Sequence, residues 1–208
     1  MEIYKPENAE YQVLYSEYPD TQEELISFLE NTLRVNQEKL ATEEERIKSI
    51  KWNEKEFTFY LVPKGTPRPR TDGSHFYVKG ARQIKKTFQK FLGDHGIICT
   101  RCEFVLHTYQ PTPINSMTNT EIILAEKGLI RPISTPDFDN LAKTYTDALQ
   151  EVILLNDNII NPGRVEKYYS IKPRIKILLS FQETFDCKFN ERKTLQSVGY
   201  KKLVEGGN

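Results

Sequence analysis

The chain has 208 residues, of which 38% are hydrophobic and 28% charged, and its formal net charge is zero. This composition is typical of one globular domain with appendages or of two small domains, and no apolar run approaches the ~20 residues of a membrane helix. The first ten residues, MEIYKPENAE, lack the apolar core of a secretory signal, and three cysteines do not make a disulfide framework. We therefore expect a cytoplasmic protein without a membrane segment.

The balanced total hides an uneven distribution of charge. Residues 1–50 hold twelve acidic and five basic side chains, so the rest of the chain has an excess of positive charge. That excess is concentrated in residues 64–101, which contain nine lysines and arginines and two aspartates. A local basic surface of this kind can bind a polyanion even when the whole chain is neutral.

Residues 20–50 have helical periodicity. Asp20 or Thr21 is placed to cap a first helix, and Thr42 with Glu45 resembles a capping box for a second. An apolar stripe runs along this segment, formed by Leu25, Phe28, Leu29, Leu33 and Val35. The stripe favours packing within the protein, and the alternative is a surface for a partner or a second copy.

The basic part of the chain begins after a strand that we predict at residues 56–62. Residues 63–73, PKGTPRPRTDG, predict a loop that carries Arg68 and Arg70. A basic helix is predicted at residues 80–92. Its inward residues are Ile84, Phe88, Phe91 and Leu92, and its outward residues are Arg82, Lys85, Lys86 and Lys90. These cations are either solvated surface charges or contacts to phosphate groups.

A second strand is predicted at residues 97–109, and it contains Cys99 and Cys102, with His95 and His107 on either side. Residues three apart in a strand point to opposite faces of a sheet. Zinc ligands must converge on one point. We therefore interpret the two cysteines as ordinary buried or half-buried thiols rather than as a zinc site.

A long connection, residues 110–136, follows that strand. A short helix is predicted within it at residues 119–127, and Gly128 is placed to end this helix. Long connections in compact domains are often functional. This one leads to residues 135–149, TPDFDNLAKTYTDAL, the most distinctive stretch of the sequence.

The stretch 135–149 predicts a helix whose first turn Thr135 or Asp137 can cap, with Pro136 just inside it. The side chains of Asp139, Lys143 and Asp147 share one face because they are spaced by four residues. The side suited to the core carries Leu141, Ala148, Leu149 and Val152. The cluster is either an N-capped surface helix with solvated acids or a site for Mg²⁺, which prefers oxygen ligands.

The remaining elements are a buried edge at residues 152–155, a turn at residues 156–158 with another acid, and strands at residues 165–169 and 174–181. The last two strands are predicted to be antiparallel across Pro173. Residues 182–208 form a polar tail, part of which is helical by its pattern.

Taken in this order, residues 56–181 resemble the RusA family of Holliday junction resolvases. The recurrent core of that family is PDxDNLxKxxxDAL, followed by a turn with two aspartates and a strand with a lysine. The corresponding segments here are PDFDNLAKTYTDAL, Asn156-Asp157 and VEKYY. The resemblance implies a compact α+β fold with a mixed sheet and flanking helices, forming a homodimer. Residues 1–55 would then be an acidic helical extension and residues 182–208 a C-terminal tail.

The resemblance also implies a function, which is Mg²⁺-dependent cutting of opposing strands of a four-way DNA junction in recombination and repair. Mn²⁺ can take the place of Mg²⁺, and no organic cofactor is expected. The implied metal ligands are Asp137, Asp139 and Asp157, and Lys143 joins them as a catalytic residue. The implied supporting residues are Asn140, Asp147, Asn156 and Lys167. The best candidates for DNA phosphate contacts are Arg68, Arg70, Lys79, Arg82, Lys85 and Lys86.

The turn departs from the family pattern, because Asn156 stands where the family has its first aspartate. In this register Asp157 takes the metal position. In a second register Asp157 takes the first position and Asn158 the second, which removes a ligand. Three other functions stay open: a nuclease for other branched DNA, a non-catalytic junction-binding protein, and an aspartyl-phosphate phosphohydrolase. The last is disfavoured because residues 131–136, RPISTP, make a poor strand before the acids.

Overall fold

The computed structural model describes residues 18–19, 21–65 and 79–205, with the side chains of 79–82, 94 and 204–205 left out. The chain forms two compact units, residues 1–49 and residues 50–208. No helix in the described ranges is long and apolar enough to cross a membrane.

The first unit contains helix α1, Gln22–Thr32, and helix α2, Gln37–Lys48. The Thr21 hydroxyl accepts a hydrogen bond from the backbone N–H of Glu24 at 3.3 Å, which confirms Thr21 as the first cap. The Asn36 side chain caps α2.

The predicted capping box at Thr42 and Glu45 is wrong. Because Asn36 begins α2 earlier, Thr42 lies inside the helix, and its hydroxyl donates to the Glu38 carbonyl oxygen at 2.7 Å. The apolar stripe of α1 contains no buried residue, and the side chain of Leu33 is 67% exposed.

The second unit is built on one four-stranded mixed sheet. Its strands are β1, Trp52–Phe59; β2, Cys102–Pro111; β3, Ile160–Ser170; and β4, Arg174–Gln182. The order across the sheet is β1-β4-β2-β3. Strand β4 is antiparallel to β1 and β2, whereas β3 is parallel to β2.

The last two strands run in opposite directions, as predicted, but they do not form a hairpin. Strand β2 lies between them, so β3 and β4 are separated by two strand spacings, roughly 10 Å. Residues 171–173 cross the end of β2, a distance that three residues can span.

The starts of three strands differ from the sequence prediction. Strand β3 begins at Ile160 rather than at residue 165. Strand β1 begins at Trp52 rather than at residue 56, because the polar residues Asn53 to Lys55 pair with β4 at the edge of the sheet. Strand β2 begins at Cys102 rather than at residue 97. Before it, Ile98 makes only an isolated bridge with Leu154.

Helices α3, Lys79–Leu92, and α5, Phe138–Leu149, pack on one face of the sheet. The predicted inward residues Phe88 and Leu92 are buried, but Phe91 is 64% exposed and was wrongly placed inside. The predicted inner side of α5 is confirmed by the burial of Leu141, Ala148, Leu149 and Val152. The strands contribute Phe104, Leu106, Ile175, Ile177 and Leu179 to the same core.

Three shorter α-helices lie in the described part of this unit. Helix α4, Asn119–Glu126, begins with a capping box formed by Thr118 and Glu121 and ends at Gly128, whose φ of 74° suits glycine. Helices α6, Lys188–Leu195, and α7, Val198–Glu205, lie in the predicted tail. The fold is therefore of the predicted α+β class, a mixed sheet flanked by helices.

Candidate active site

Helix α5 places the acidic stretch where its carboxylates are accessible. Asp137 occupies the N-cap position, but its side chain makes no capping hydrogen bond. Pro136 was predicted inside the first turn, but it precedes the cap and follows a cis peptide bond from Thr135. Asp137 and Asp139 are both exposed at the start of the helix. The Asp137 carboxylate therefore does not cap the helix, as it would in a simple N-capped surface helix.

A second group of charged side chains lies around Asp147 of α5. Burial raises the pKa of the Asp147 carboxyl, the Lys143 ammonium lowers it, and the negative charge of Asp157 raises it again. Lys85 of helix α3 also lowers this pKa. Four charged side chains from three segments of the chain therefore lie within electrostatic range of one another.

Asp157 stands at the start of a short 3₁₀ turn, Asp157–Ile159. The side chain of Asn156 caps this turn, with its Oδ1 accepting a hydrogen bond from the backbone N–H of Asn158 at 3.2 Å. Asn156 therefore helps to shape the turn, and the Asp157 carboxylate is exposed beside it. Asn156 at the first position of the turn therefore does not prevent Asp157 at the second position from exposing its carboxylate.

Lys167 fastens the segment that precedes Asp137. Its ammonium donates hydrogen bonds to the backbone carbonyls of Ser134, at 2.7 Å, and Pro136, at 3.3 Å. Hydrogen bonds from a charged donor are about twice as strong as neutral ones. Lys167 thus acts on the position of Asp137 through the backbone.

Arg131 holds the same segment from the other face of β3. Its Nε donates to the Gly128 carbonyl at 2.7 Å, and its guanidinium lies 3.8 Å from the ring centroid of Tyr168. Since Lys167 and Tyr168 are consecutive, they point to opposite faces of the sheet. The connection therefore wraps around the edge strand. Sequence reasoning assigned no role to Arg131, because Tyr168, on which its guanidinium stacks, is distant in the sequence.

A third segment reaches α5 from the end of β1. The backbone N–H of Lys64 donates to the buried Tyr145 hydroxyl at 3.2 Å, and burial raises the pKa of Tyr145 to about 12. A Cβ atom at Gly65 would lie 2.6 Å from Nδ2 of Asn140 and 3.2 Å from Cβ of Pro136. Only a glycine lets the backbone approach the motif this closely. The sequence analysis missed both Gly65 and Tyr145.

The predicted DNA-contact residues are only partly described. Arg68 and Arg70 lie outside the described residues, as do the side chains of Lys79 and Arg82. Lys86 is exposed on α3. Lys85 forms an ion pair with Glu151 at 3.3 Å and lies close enough to Asp147 to influence it. Lys85 thus belongs to the acidic site as well as to the basic helix.

The chemistry of the acids suits a hard cation. Carboxylate oxygens are what Mg²⁺ prefers, and such sites keep waters and take further ligands from substrate phosphates. No group of three His, Cys, Asp or Glu side chains in the described ranges is already gathered at metal-binding spacing. The donor atoms of these acids are of the kind that Mg²⁺ prefers.

The cysteine and histidine side chains near β2 diverge. Cys102 is buried, and burial raises the pKa of its thiol to about 12, so it stays protonated. His107 lies on the opposite face of β2, and His95 packs its ring against Phe57 at 5.2 Å between centroids. These positions agree with the interpretation of Cys99 and Cys102 as ordinary thiols, half-buried and buried.

Comparison with known proteins places this arrangement in a family. A family model described as Endodeoxyribonuclease RusA matches residues 60–180. The chain belongs to the RusA family of endodeoxyribonucleases. The uncharacterized protein YqaN of Bacillus subtilis (strain 168) is 31% identical over 133 residues, which cover 59% of this chain and 93% of that protein. The RusA match contains α3, α5, the Asp157 turn and Lys167, whereas α1, α2, α6 and α7 lie outside it.

Proposed function

We propose that the protein is a Mg²⁺-dependent endodeoxyribonuclease that binds four-way DNA junctions as a homodimer and resolves them by paired nicks. The observation that carries the proposal is the proximity of Lys85, Lys143, Asp147 and Asp157, which together influence the pKa of Asp147, within a chain of the RusA family. Its place of action would be the cytoplasm, in recombination and repair.

The site residues divide the work of phosphodiester hydrolysis. Asp137, Asp139 and Asp157 would hold Mg²⁺, or Mn²⁺ in its place. When bound, the cation supplies positive charge at the phosphate and lowers the pKa of a coordinated water. Lys143, one turn after Asp139, is placed to stabilise the negative charge that builds on the phosphate. Lys143 also supports Asp147 as an i, i+4 partner.

The other residues position this group. Asn156 caps the Asp157 turn, and Lys167 holds the carbonyls before Asp137. Asn140 packs against the backbone at Gly65, where the basic loop with Arg68 and Arg70 begins. In the sequence, Arg68 and Arg70 follow this contact by three and five residues, which supports a proposed role for them in phosphate binding. With Lys79, Arg82, Lys85 and Lys86 they form the proposed DNA-binding set.

A homodimer follows from the symmetry of the substrate. A four-way junction presents two equivalent strands, and a two-fold protein places one site on each. Sedimentation of the free protein and of its junction complex tests this part. A complex that contains one chain and still makes two symmetric nicks would contradict it.

The decisive experiment is cleavage of a synthetic mobile junction with Mg²⁺ or Mn²⁺. The wild type should cut, and Asp139→Asn should not, although it should still bind the junction in Ca²⁺. Glu183→Gln is the matched control because it removes an exposed acid elsewhere. An inactive wild type, or an Asp139→Asn variant that cuts normally, refutes the proposal.

A second candidate is a protein that binds junctions without cutting them, and Asn156 in the family's two-aspartate turn favours it. Cleavage by the wild type rejects this candidate. A third is a nuclease with broader selectivity for branched DNA. Comparison of a four-way junction with flap and linear duplex substrates separates it from a junction resolvase.

A further inference from the structure

A polar cavity lies beside the Asp157 turn, between the starts of β2 and β3 and helix α6. Its volume is about 280 Å³. Its walls include Arg101, Asn158, Asn161, Phe185, Asn190 and Lys193. Because Asn158 follows Asp157 directly, the cavity begins one residue from a proposed metal ligand. The wall formed by α6 lies beyond residue 180, where the RusA match ends.

The side chains of the cavity can recognise both parts of a nucleotide. Amide side chains offer donors and acceptors together, as base edges require. Phe185 offers a flat apolar surface on which a base can stack. Arg101 and Lys193 supply positive charge for a phosphate.

Hydrogen bonds within the protein hold these side chains in place and leave some of their donors and acceptors for a ligand. The Arg101 Nε donates to the Asn161 carbonyl at 3.0 Å, which occupies one of the five N–H donors of a guanidinium. The Asn190 Nδ2 donates to Asp186 at 2.8 Å. This bond satisfies one oxygen of Asp186, the one acid among the described residues of the cavity wall, and leaves the Asn190 amide oxygen as an acceptor.

We propose that the cavity binds one nucleotide of the DNA strand next to the phosphate that is cut. The base would lie against Phe185 and the amides, and its phosphate against Arg101 and Lys193. The volume of about 280 Å³ is just below the ~300–1,000 Å³ of small-molecule sites, a size that suits the base of one nucleotide rather than a dinucleotide cofactor. The identity of the strand as DNA rests on the proposed function.

The consequence is a base preference at a fixed distance from the cut. Paired hydrogen bonds between an amide and a base edge discriminate between bases by about five- to a hundredfold. The wild type should therefore cut junctions unequally when one base pair near the cut is varied. Asn158→Ala and Asn190→Ala should make cleavage more uniform.

Binding can be followed by the fluorescence of Trp52, the sole tryptophan of the chain. The Arg101 guanidinium lies 5.5 Å from its ring centroid. The full chain is titrated with a four-way junction in Ca²⁺, without cleavage, while Trp52 fluorescence is followed. Lys193→Ala should weaken the fluorescence-detected binding at least about fivefold. Lys188→Ala, which removes the same charge from the same helix away from the cavity wall, should not.

The outcomes separate this proposal from the nuclease proposal. If Lys193→Ala weakens the fluorescence-detected binding and Lys188→Ala does not, but no cleavage occurs with Mg²⁺ or Mn²⁺, the cavity assignment stands and the nuclease function fails. If Lys193→Ala and Asn190→Ala match Lys188→Ala in both binding and base preference, the cavity assignment is refuted. A titration with dAMP, dCMP, dGMP and dTMP tests the source of the nucleotide. A mononucleotide that binds without competing with the junction overturns the assignment to the DNA strand.

Discussion

The contact between Gly65 and Asn140 predicts that a single methyl group will disturb the acidic site. In Gly65→Ala, the added Cβ lies 2.6 Å from Nδ2 of Asn140, about 0.8 Å inside the 3.4 Å at which ordinary van der Waals contact begins. It also lies 2.8 Å from Cγ of Asn140 and 3.2 Å from Cβ of Pro136. Either the backbone at residue 65 moves away from α5, or the Asn140 side chain rotates out of its place.

Each adjustment has a measurable cost. Overpacking of this kind costs about 1–3 kcal/mol in the free energy of unfolding, which urea denaturation reports. If Asn140 rotates instead, stability is largely kept, but the start of the basic loop and the first turn of α5 lose their mutual fit. A misplacement near 1 Å lowers turnover by up to about a hundredfold. We expect kcat for junction cleavage to fall at least about tenfold, with a smaller change in junction affinity.

Gly93→Ala is the matched control, because a Cβ at Gly93 would have no heavy atom within 4 Å. Its stability should change by less than about 0.5 kcal/mol, and its activity should stay normal. A double-mutant cycle with Asn140→Ala tests the mechanism directly. Once the Asn140 amide is gone, Gly65→Ala should cost little more. If Gly65→Ala equals Gly93→Ala in stability and kcat, or if its effect adds fully to that of Asn140→Ala, the reasoning is refuted.

Two further substitutions test residues that support the site, and a third tests the pH dependence of stability. Lys167→Met should lower stability by about 1.5–3 kcal/mol, because it removes two charge-assisted hydrogen bonds, and should slow cleavage, whereas exposed Lys172→Met should do neither. Tyr145→Phe should cost about 0.5–1.5 kcal/mol through the lost bond to Lys64, measured by urea denaturation; an unchanged free energy contradicts it. Burial lowers the pKa of His107, opposed by Glu166 and assisted by Lys176, Arg164 and Arg131. The folded state therefore binds this proton less tightly than the unfolded state, so stability falls as pH drops through 6.5. His107→Gln should lose less stability than the wild type between pH 7 and 5, and equal losses refute this.

The elements that sequence analysis predicted well are those with a strong local pattern. The apolar positions of α5 and the exposed face with Asp139, Lys143 and Asp147 follow from helical spacing alone, and the structure confirms the buried side. The cap of α1 and the glycine end of α4 are equally local. Strands β3 and β4 run in opposite directions, as predicted, but they are not neighbours in the sheet. Nothing local to residues 165–181 indicates that β2 lies between them.

The parts of the site that escaped prediction are contacts between distant segments. A carboxylate pair becomes useful only when its position is held, and here the holding residues are dispersed. Lys167 fixes the backbone before Asp137, Arg131 clasps the same connection from the other face of β3, and Gly65 docks the end of β1 on α5. Each uses backbone atoms or the lack of a side chain, so residue type alone does not reveal the role. The stretch 135–149 therefore supplies the reactive groups, while their geometry is determined by three segments that no helical or strand periodicity connects to it.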